Sequence, residues 1–288
     1  MDIDLSTARV TVVGLGLMGG SLGGALRGRC RSVVGVDRRH ETINVAQVRG
    51  LIDQGTTDLA RGVHGADVVV LATPVRVILR LLDEIAPLLQ EGCLLLDVGS
   101  TKAAVVDRMA ALPDSIQPLG GHPMCGKEHA GIEAADPALY QGATFVLTPL
   151  PRTAPQALSL GRSLVEAAGA RPLILPPRRH DRLVSTISHL PYLLACGLVG
   201  ATVEVAAVDP TVWRVAASGF RDTSRLAASD VTMMLDILLT NREAVLAVLG
   251  RFRDQLGVLR QLLEAGDEAA LRAALEQVQQ IRSEWRGS

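Results

Sequence analysis

The feature of this sequence that most constrains its fold is a glycine-rich turn between a predicted strand and a predicted helix. The strand is the apolar run Val10–Val13, and small apolar residues continue after the turn to about Arg27. In this setting the first glycine permits a tight turn, the second lets the backbone approach a diphosphate, and the third allows close helix–strand packing. The diphosphate is then bound by free N–H groups at the helix N-terminus. We therefore predict dinucleotide contacts from Gly14, Gly16, Leu17, Met18 and Gly19.

A carboxylate follows the next apolar run at the spacing that dinucleotide sites require. The run Val33–Val36 precedes Asp37, which lies about 20 residues beyond the glycine turn. A carboxylate here accepts hydrogen bonds from both ribose hydroxyls and repels a 2′-phosphate, which favours NAD. The neighbouring Arg38 and Arg39 carry guanidinium groups that bind phosphate, so NADP remains the alternative cofactor.

Two later apolar runs also end in polar residues. Val68–Leu71 is followed by Thr73 and Pro74, and Leu94–Val98 is followed by Ser100. Ligands of open α/β sheets bind beyond the carboxyl ends of parallel strands. The sequence therefore predicts further cofactor contacts from Thr73, Pro74 and Ser100, with simple strand-ending turns as the alternative.

The alternation of apolar runs with helical stretches indicates the fold class. The predicted strands are Val10–Val13, Val33–Val36, Val68–Leu71, Leu94–Val98, Phe145–Thr148 and Pro172–Leu175. Such continuously apolar strands are typical of a parallel sheet that is buried on both faces. We predict an α/β Rossmann-type doubly wound parallel sheet, which forms a dinucleotide-binding domain over residues 1–176. The two prolines Pro176 and Pro177 mark the predicted boundary.

The pattern of residues 177–288 predicts an all-helical domain for substrate binding and dimerisation. A long apolar helix is expected from His180 to about Glu204, interrupted by Pro191, and a last helix ends near Trp285. Between them, apolar residues recur at spacings of three and four, which marks one face of an amphipathic helix. These residues are Leu246, Leu249, Phe252, Leu256, Leu259 and Leu263. We expect a homodimer through this domain; the alternative is that its apolar faces pack within one chain.

Composition narrows the partners and the location of the protein. The 29 Lys and Arg residues against 30 Asp and Glu among 288 residues give a net charge of -1, which disfavours a nucleic-acid partner. We expect no membrane span, because no apolar run in the sequence reaches the ~18 residues that a span requires. The 4 cysteines include no CxxC pair, which indicates a reduced, cytoplasmic protein. The 6 histidines lack zinc-type spacing, so no metal is expected.

Two histidines and two arginines lie where they suit catalysis or substrate binding. His122 follows two glycines and precedes a proline, which predicts a fixed loop at a strand end, where a histidine can act as a general base. A surface-loop histidine is the alternative. His189 lies in an apolar helix, as either a site residue or a satisfied core residue. Arg221 and Arg225 are spaced to share a helix face and bind carboxylates; the alternative is a solvated or ion-paired face, with Asp222 as the partner.

Taken together, these segments resemble one enzyme family. The segments GLGLMGGSL, ATPV, DVGSTK, GGHPMCG, SHLPY and SGFRDTSR occur in this order between about Arg9 and Glu268. The combination is similar to the prephenate/arogenate (cyclohexadienyl) dehydrogenase family of tyrosine biosynthesis. The resemblance implies a small dicarboxylate substrate. It also implies NAD(P)-dependent oxidative decarboxylation of prephenate, arogenate or both, to 4-hydroxyphenylpyruvate or tyrosine.

The resemblance also implies roles for individual residues. His122 matches the catalytic histidine that takes the proton of the ring hydroxyl, and Ser100 matches a serine that orients this histidine and the nicotinamide. Arg225 matches the principal arginine for a substrate carboxylate, with Arg221 as its basic neighbour. The other implied substrate-binding residues are His189, which positions the substrate, and Glu128, an acidic gate residue.

The sequence departs from this family beyond the arginine segment. Many members carry Asp-Pro-x-Met-Trp where this chain has Asp230-Val-Thr-Met233-Met234, so a ring that walls the pocket is missing. Prephenate, arogenate and a ring-amino analogue therefore remain alternative substrates, the last as in an aminodeoxyprephenate dehydrogenase of secondary metabolism. From a different class of protein, a non-catalytic NAD-sensing dimer is the remaining alternative.

Overall fold

A computed structural model describes residues 4–127 and 129–285 of the chain. Within these residues eight strands form one sheet: β1 (Arg9–Val13), β2 (Ser32–Val36), β3 (Gln54–Thr56), β4 (Val68–Leu71), β5 (Leu94–Asp97), β6 (Gln117–Pro123), β7 (Thr144–Pro149) and β8 (Arg171–Ile174). The strand order is β3-β2-β1-β4-β5-β6-β7-β8. Every neighbouring pair is parallel except β6 and β7, which are antiparallel.

The same residues form thirteen α-helices. They are α1 (Leu17–Leu26), α2 (His40–Val48), α3 (Leu59–Val63), α4 (Val75–Ile85), α5 (Ala103–Met109), α6 (Pro155–Ala167), α7 (Pro177–Val184), α8 (Leu190–Ala206), α9 (Val212–Val215), α10 (Ser218–Ser224), α11 (Val231–Thr240), α12 (Arg242–Ala265) and α13 (Glu268–Glu284). Alternate side chains of β1, β4 and β5 enter two separate buried apolar clusters, one on each face of the sheet. Helices therefore cover both faces, as in a doubly wound fold.

The strand order places the predicted site residues at one edge of the sheet. The order reverses between β1 and β4, and the crevice at such a reversal is where ligands of open α/β sheets bind. Strands β1, β2, β4, β5 and β6 run parallel, so their carboxyl ends share this edge. The glycine turn, Asp37, Thr73, Ser100 and His122 are therefore brought to the same side of the sheet.

All six predicted strands are present, and the predicted fold class is confirmed. Two strands were missed. Strand β3 is the short, polar segment Gln54–Thr56, and β6 contains two glycines and two prolines, which normally indicate a loop. The antiparallel pairing of β6 with β7 is a further departure from the expected parallel sheet.

The prediction that His122 lies in a loop was wrong. His122 belongs to β6 and is paired with Val146 of β7. The two preceding glycines are needed because the neighbouring strands approach closely. A Cβ on Gly120 would lie 2.1 Å from Thr148 Oγ1, and one on Gly121 would lie 2.6 Å from the Asp97 carbonyl oxygen. Pairing with β7 and the close packing of Gly120 and Gly121 thus fix the backbone that carries His122.

The long apolar helix is continuous through its proline, but its winding changes there. A π-helical turn, Ser185–His189, joins α7 to α8, and the Leu190 N–H donates to the Ser185 carbonyl. Pro191 has no backbone N–H, so a carbonyl one turn earlier lacks its usual donor. The wider turn is the local response, and such turns are common at functional sites. The predicted interruption is therefore a change of helix type that begins before the proline.

The segment Pro177–Ala206 also corrects an expectation about membrane-length helices. In the described part of the chain it is long and apolar enough to cross a membrane, by length and composition alone. The expectation that no apolar stretch reaches this length was therefore wrong. Of its apolar window, 28% is buried inside the single chain, so much of this helix has an uncovered surface.

The last two predicted helices are α12 and α13. Gly266, with φ of +64°, and Asp267, whose side chain accepts the Ala270 N–H at 2.9 Å, separate them. The chain divides into two compact units, Met1–Arg242 and Glu243–Ser288. This division differs from the predicted domain boundary between residues 176 and 177, which stays a prediction.

Candidate active site

The glycine turn after β1 has the close contacts that a dinucleotide site requires. Gly14 has a φ of +95°, and a Cβ on Gly19 would lie 1.8 Å from the Gly14 carbonyl oxygen. Gly16 differs, because nothing lies within 4 Å of its Cβ position and it precedes the first residue of α1. The first and third glycines therefore allow the turn and the packing. The space beside Gly16 leaves room for a diphosphate at the α1 N-terminus.

Asp37 lies beside this turn, at the carboxyl end of β2. Its Oδ2 accepts the Leu15 N–H at 3.0 Å, and its Oδ1 accepts the Arg39 N–H at 3.0 Å. Two backbone donors thus fix a carboxylate at the position where sites of this type bind the ribose. The adjacent Arg38 is exposed. This geometry fits the predicted preference for NAD.

Thr73 follows β4 and contacts the glycine turn from the other side of the crevice. A Cβ on Gly14 would lie 2.7 Å from Thr73 Cγ2. The Thr73 hydroxyl is buried and has no hydrogen-bond partner within the described residues. A buried polar group without a partner is unfavourable, so this hydroxyl fits a site that a polar cofactor group completes. Pro74, next along the chain, precedes α4 and is exposed.

Leu17 and Met18 form the first turn of α1. The Met18 carbonyl accepts the Tyr140 hydroxyl at 2.9 Å, and the Met18 side chain packs against the core. Met18 therefore anchors the turn to the core, while a role for Leu17 and Met18 in cofactor contact stays a prediction.

Replacing Asp37 with Asn tests the cofactor preference. Asn retains one acceptor oxygen for the Leu15 N–H but loses the charge that repels a 2′-phosphate. We expect the dissociation constant of NAD to rise about tenfold, because hydrogen bonds to charged groups contribute about 1.5–3 kcal/mol, and that of NADP to fall. Titration calorimetry with both cofactors measures this. Asp83→Asn, at an exposed carboxylate paired with Arg108, is the matched control. Unchanged discrimination in Asp37→Asn would contradict the assignment.

His122 begins a chain of hydrogen bonds that the sequence did not reveal. Its Nδ1 lies 2.8 Å from His180 Nε2, and His180 Nδ1 lies 2.8 Å from Asp181 Oδ1. The two imidazole rings meet edge to face, with centroids 5.0 Å apart. His180 is 1% exposed and Asp181 is 3% exposed. Three side chains from β6 and α7 therefore form one buried row that ends at the partly exposed His122.

Asp181 is held by the first turn of α5. Its Oδ1 accepts the Lys102 N–H at 2.7 Å, and its Oδ2 accepts the Ala103 N–H at 2.8 Å. Burial opposes the charge, but the hydrogen bonds from His180 and from these two backbone groups hold the pKa of Asp181 below its ordinary value. A carboxylate at a helix N-terminus is also favoured by the helix dipole. Asp181 therefore carries a negative charge at neutral pH.

Asn241 connects this row to His189. Its Nδ2 donates to the Asp181 carbonyl at 2.8 Å and lies 3.3 Å from His189 Nδ1. Because an amide NH₂ group only donates, His189 Nδ1 is the acceptor and its Nε2 carries the proton. Burial lowers the pKa of His189 to about 4. His189 is therefore a neutral hydrogen-bond donor.

A fully buried ion pair lies behind His122. Lys102 Nζ contacts Asp97 Oδ2, and both side chains are 0% exposed. Asp97 also accepts the Gly99 N–H at 2.8 Å and the Gly121 N–H at 3.2 Å. Burial raises the pKa of Asp97 and lowers that of Lys102, since each charge alone is poorly solvated. The pair thus joins the β5–α5 loop, which carries Ser100, to the strand that carries His122.

The electrostatic surroundings keep the His122 ring neutral. Burial lowers the pKa of His122 well below its ordinary value, and nearby His180, Lys102 and His189 act in the same direction. A neutral imidazole has one free lone pair. Nδ1 is engaged with His180, and within the described residues Nε2 makes no hydrogen bond. His122 therefore offers Nε2 as a base at neutral pH.

The remaining predicted residues are placed less directly. Ser100 is partly buried in the β5–α5 loop, but the hydrogen-bond partner of the His122 ring is His180. Arg221 lies on α10 and Arg225 in the turn that follows, both with exposed side chains. The helical course of this segment is consistent with the predicted shared face. Glu128 lies outside the described residues. The roles of these four residues stay predictions.

Comparisons with known proteins decide which family this is. Residues 22–174 match the family model for the prephenate dehydrogenase nucleotide-binding domain, and residues 176–277 match that for the prephenate dehydrogenase dimerization domain. The chain belongs to the prephenate dehydrogenase family. The resemblance seen in the sequence is thereby confirmed, as is the predicted enzyme class, an NAD-dependent oxidoreductase.

Individual relatives support the same assignment. The prephenate dehydrogenase of Bacillus subtilis is 36% identical over 262 residues, which cover 90% of this chain and 71% of that protein. The Aquifex aeolicus prephenate dehydrogenase, solved with hydroxyphenyl propionate and NAD+, has a TM-score of 0.90 at 32% identity, covering 98% of this chain and 99% of that one. Synechocystis arogenate dehydrogenase has a TM-score of 0.85 at 33% identity, covering 96% and 99%.

Proposed function

We propose that this enzyme removes a hydride and carbon dioxide from prephenate, arogenate or both, with His122 as the general base. The observation that carries this proposal is the His122 ring. It lies at the same sheet edge as the glycine turn, with Nδ1 bonded to His180 and with a lowered pKa. A base with these properties is in its active form at neutral pH.

The reaction needs orientation and one proton acceptor. NAD, when bound, supplies the acceptor for the hydride that leaves the ring carbon bearing the hydroxyl. His122 Nε2 takes the proton of that hydroxyl. The bond to the carboxylate on the opposite ring carbon breaks, carbon dioxide leaves, and the electron pair of that bond completes the aromatic ring. The ring oxygen regains its proton from protonated His122, which restores the hydroxyl of the product. Aromatisation drives the step forward, so the protein mainly aligns the groups.

We assign the substrate's carboxylates to the arginine segment. Arg225 is the principal partner and Arg221 its basic neighbour, because guanidinium groups bind carboxylates in paired hydrogen bonds. His189 is a neutral donor with Nε2 available, which suits an oxygen of the substrate. Glu128 and Ser100 keep the roles that the sequence resemblance implies.

Turnover of the purified protein tests the proposal. Prephenate and arogenate are offered separately with NAD and with NADP, and the absorbance of the reduced nicotinamide is followed. We expect turnover with at least one substrate and higher kcat/KM with NAD. Folded protein that binds NAD but turns over neither substrate would contradict the proposal and would favour the ring-amino analogue next.

We also propose a cytoplasmic homodimer. The residues that match the dimerization-domain model include many apolar side chains that the single chain leaves exposed. On α12, Leu256 is 49% exposed and Leu263 is 65% exposed. Exposed apolar side chains that lie together on one surface are typical of protein–protein interfaces. A second copy of the chain is the partner that would cover it.

Sedimentation velocity checks the oligomeric state. We expect a dimer, and we expect Leu263→Arg to raise its dissociation constant about tenfold or more, because a charge would be buried at the interface. Gln261→Arg, on the same helix but away from the apolar face, should leave the dimer intact. A wild-type monomer at micromolar concentration would contradict the proposal.

A further inference from the structure

The hydrogen-bond row behind His122 has a defined proton order. Asp181 is an ionised carboxylate and accepts hydrogen bonds only, so His180 Nδ1 carries the proton in the 2.8 Å contact between them. In the form of His180 that carries this one proton, the lone pair lies on Nε2, and His122 Nδ1, 2.8 Å away, donates to it. This order leaves the lone pair of His122 on Nε2.

We infer that His180 and Asp181 are positioning residues that fix the orientation and tautomer of His122, so that Nε2 is the base for the substrate hydroxyl. This inference rests on the proposed role of His122. Neither positioning residue touches the reacting atoms or changes its own proton count. When His122 Nε2 gains the substrate proton, the new positive charge lies next to the His180 lone pair, which the Asp181 carboxylate polarises. A His–carboxylate pair acts in this way in other hydrolytic and transfer enzymes.

The fold holds this row rigidly. Asp181 is fixed by two backbone N–H groups at the start of α5, and its own carbonyl accepts from Asn241. His180 lies on α7, whose N-terminus is set by Pro177. His122 is fixed by the pairing of β6 with β7 and by the neighbouring Gly121 N–H, which donates to the Asp97 carboxylate. Only the His122 end of the row is partly exposed, so the row has a single outlet toward solvent and substrate.

Replacing Asp181 with Asn removes the negative charge that fixes the proton order without removing a side chain. The single Asn oxygen accepts either the Ala103 N–H or the Lys102 N–H. In the first orientation the NH₂ group faces His180 Nδ1, so His180 carries its proton on Nε2 and forces the His122 proton onto Nε2, where His122 cannot act as a base. In the second orientation the oxygen still accepts from His180, but no negative charge polarises His180 when His122 gains the substrate proton. We expect kcat to fall about 10²–10⁴-fold in Asp181→Asn, with the NAD dissociation constant unchanged.

Two further variants separate positioning from structural support. His180→Phe keeps a ring but has no acceptor, and should lower kcat more than it raises KM. His180→Gln supplies an acceptor oxygen and should restore part of kcat. Asp136→Asn is the matched control: its carboxylate also accepts a backbone N–H, from Ala138, and also pairs with a side chain, Lys127. It should leave kcat unchanged.

Nitrogen NMR gives a readout that needs no substrate. Two-bond ¹H–¹⁵N spectra distinguish the imidazole tautomers, and the signals that vanish in His122→Asn assign His122. We expect the Nδ1–H tautomer in the wild-type protein, although Nε2–H is usual for free histidine, and a larger share of the Nε2–H tautomer in Asp181→Asn. An Nε2–H tautomer in the wild type would overturn the inference, as would Asp181→Asn with kcat within about threefold of wild type. If His122→Asn retains kcat, His122 is not the base and the proposed function is wrong. If His122→Asn loses kcat but the His180 and Asp181 variants retain it, His122 is the base and the positioning role is wrong.

Discussion

Replacing His122 with Asn is expected to lower kcat by about 10²–10⁴-fold with whichever cyclohexadienyl substrate the enzyme uses. Asn retains a polar side chain in β6 but has no group that accepts a proton at neutral pH. Initial rates measure kcat, and titration with NAD shows whether the cofactor site is intact. The NAD dissociation constant should not change, because the glycine turn and Asp37 are untouched.

An exposed histidine provides the control for this substitution. His64 follows α3, is exposed, and makes no contact with the hydrogen-bond row, so His64→Asn should keep wild-type kcat. A His122→Asn enzyme with kcat within about threefold of wild type, a loss of under ~1 kcal/mol, would rule His122 out as the base.

The pH profile of the wild-type enzyme carries the same information. A general base works in its neutral form, so kcat/KM should fall as pH falls through the pKa of His122 in the free enzyme. Burial, with His180, Lys102 and His189 nearby, lowers that pKa. The acid limb should therefore lie below about 6.5, the ordinary value for histidine, and kcat/KM should be level from there to pH 8. An acid limb above that value would contradict the neutral ring.

The cofactor half of the site was predictable because its chemistry is local in sequence. Gly14, Gly16 and Gly19 are required by turn geometry and close packing, and Asp37 follows at a fixed spacing on the next strand. Parallel strands also order their carboxyl ends, so Thr73 and Ser100 were placed at the correct edge. Each of these inferences depends on residues within one or two adjacent elements.

The catalytic half was only partly predictable because it depends on contacts between distant segments. His122 and His180 are 58 residues apart, and Lys102 and Asp181 are 79 apart. Strand β6 was missed because glycines usually indicate a loop. Here they are required because the neighbouring strands leave no space for a Cβ, and that contact is visible only in the structure. One signal did exist: His180 and Asp181 are polar neighbours at the start of an apolar helix, where polar side chains need partners.

Replacing Lys102 with Met is expected to lower the free energy of unfolding by about 3–5 kcal/mol, the usual loss when one partner of a buried ion pair is removed. Met fills similar volume, but Asp97 is then left as a buried carboxylate without a cation. Asp97 keeps its hydrogen bonds from Gly99 and Gly121, so part of its charge remains compensated. Urea unfolding followed by circular dichroism, at one fixed protein concentration, measures the change.

An exposed ion pair serves as the control that separates the effect of burial on stability from the effect of losing a charge. Arg108 and Asp83 also form an ion pair, but their side chains are 49% and 58% exposed, so Arg108→Ala should cost at most about 1 kcal/mol. Substituting both Asp97→Asn and Lys102→Met should restore part of the stability, because no unpaired charge remains. The double variant should still have low kcat, since the Asp97 carboxylate also fixes the Gly121 N–H next to His122. A Lys102→Met protein as stable as Arg108→Ala would mean that this pair is already neutral in the folded chain.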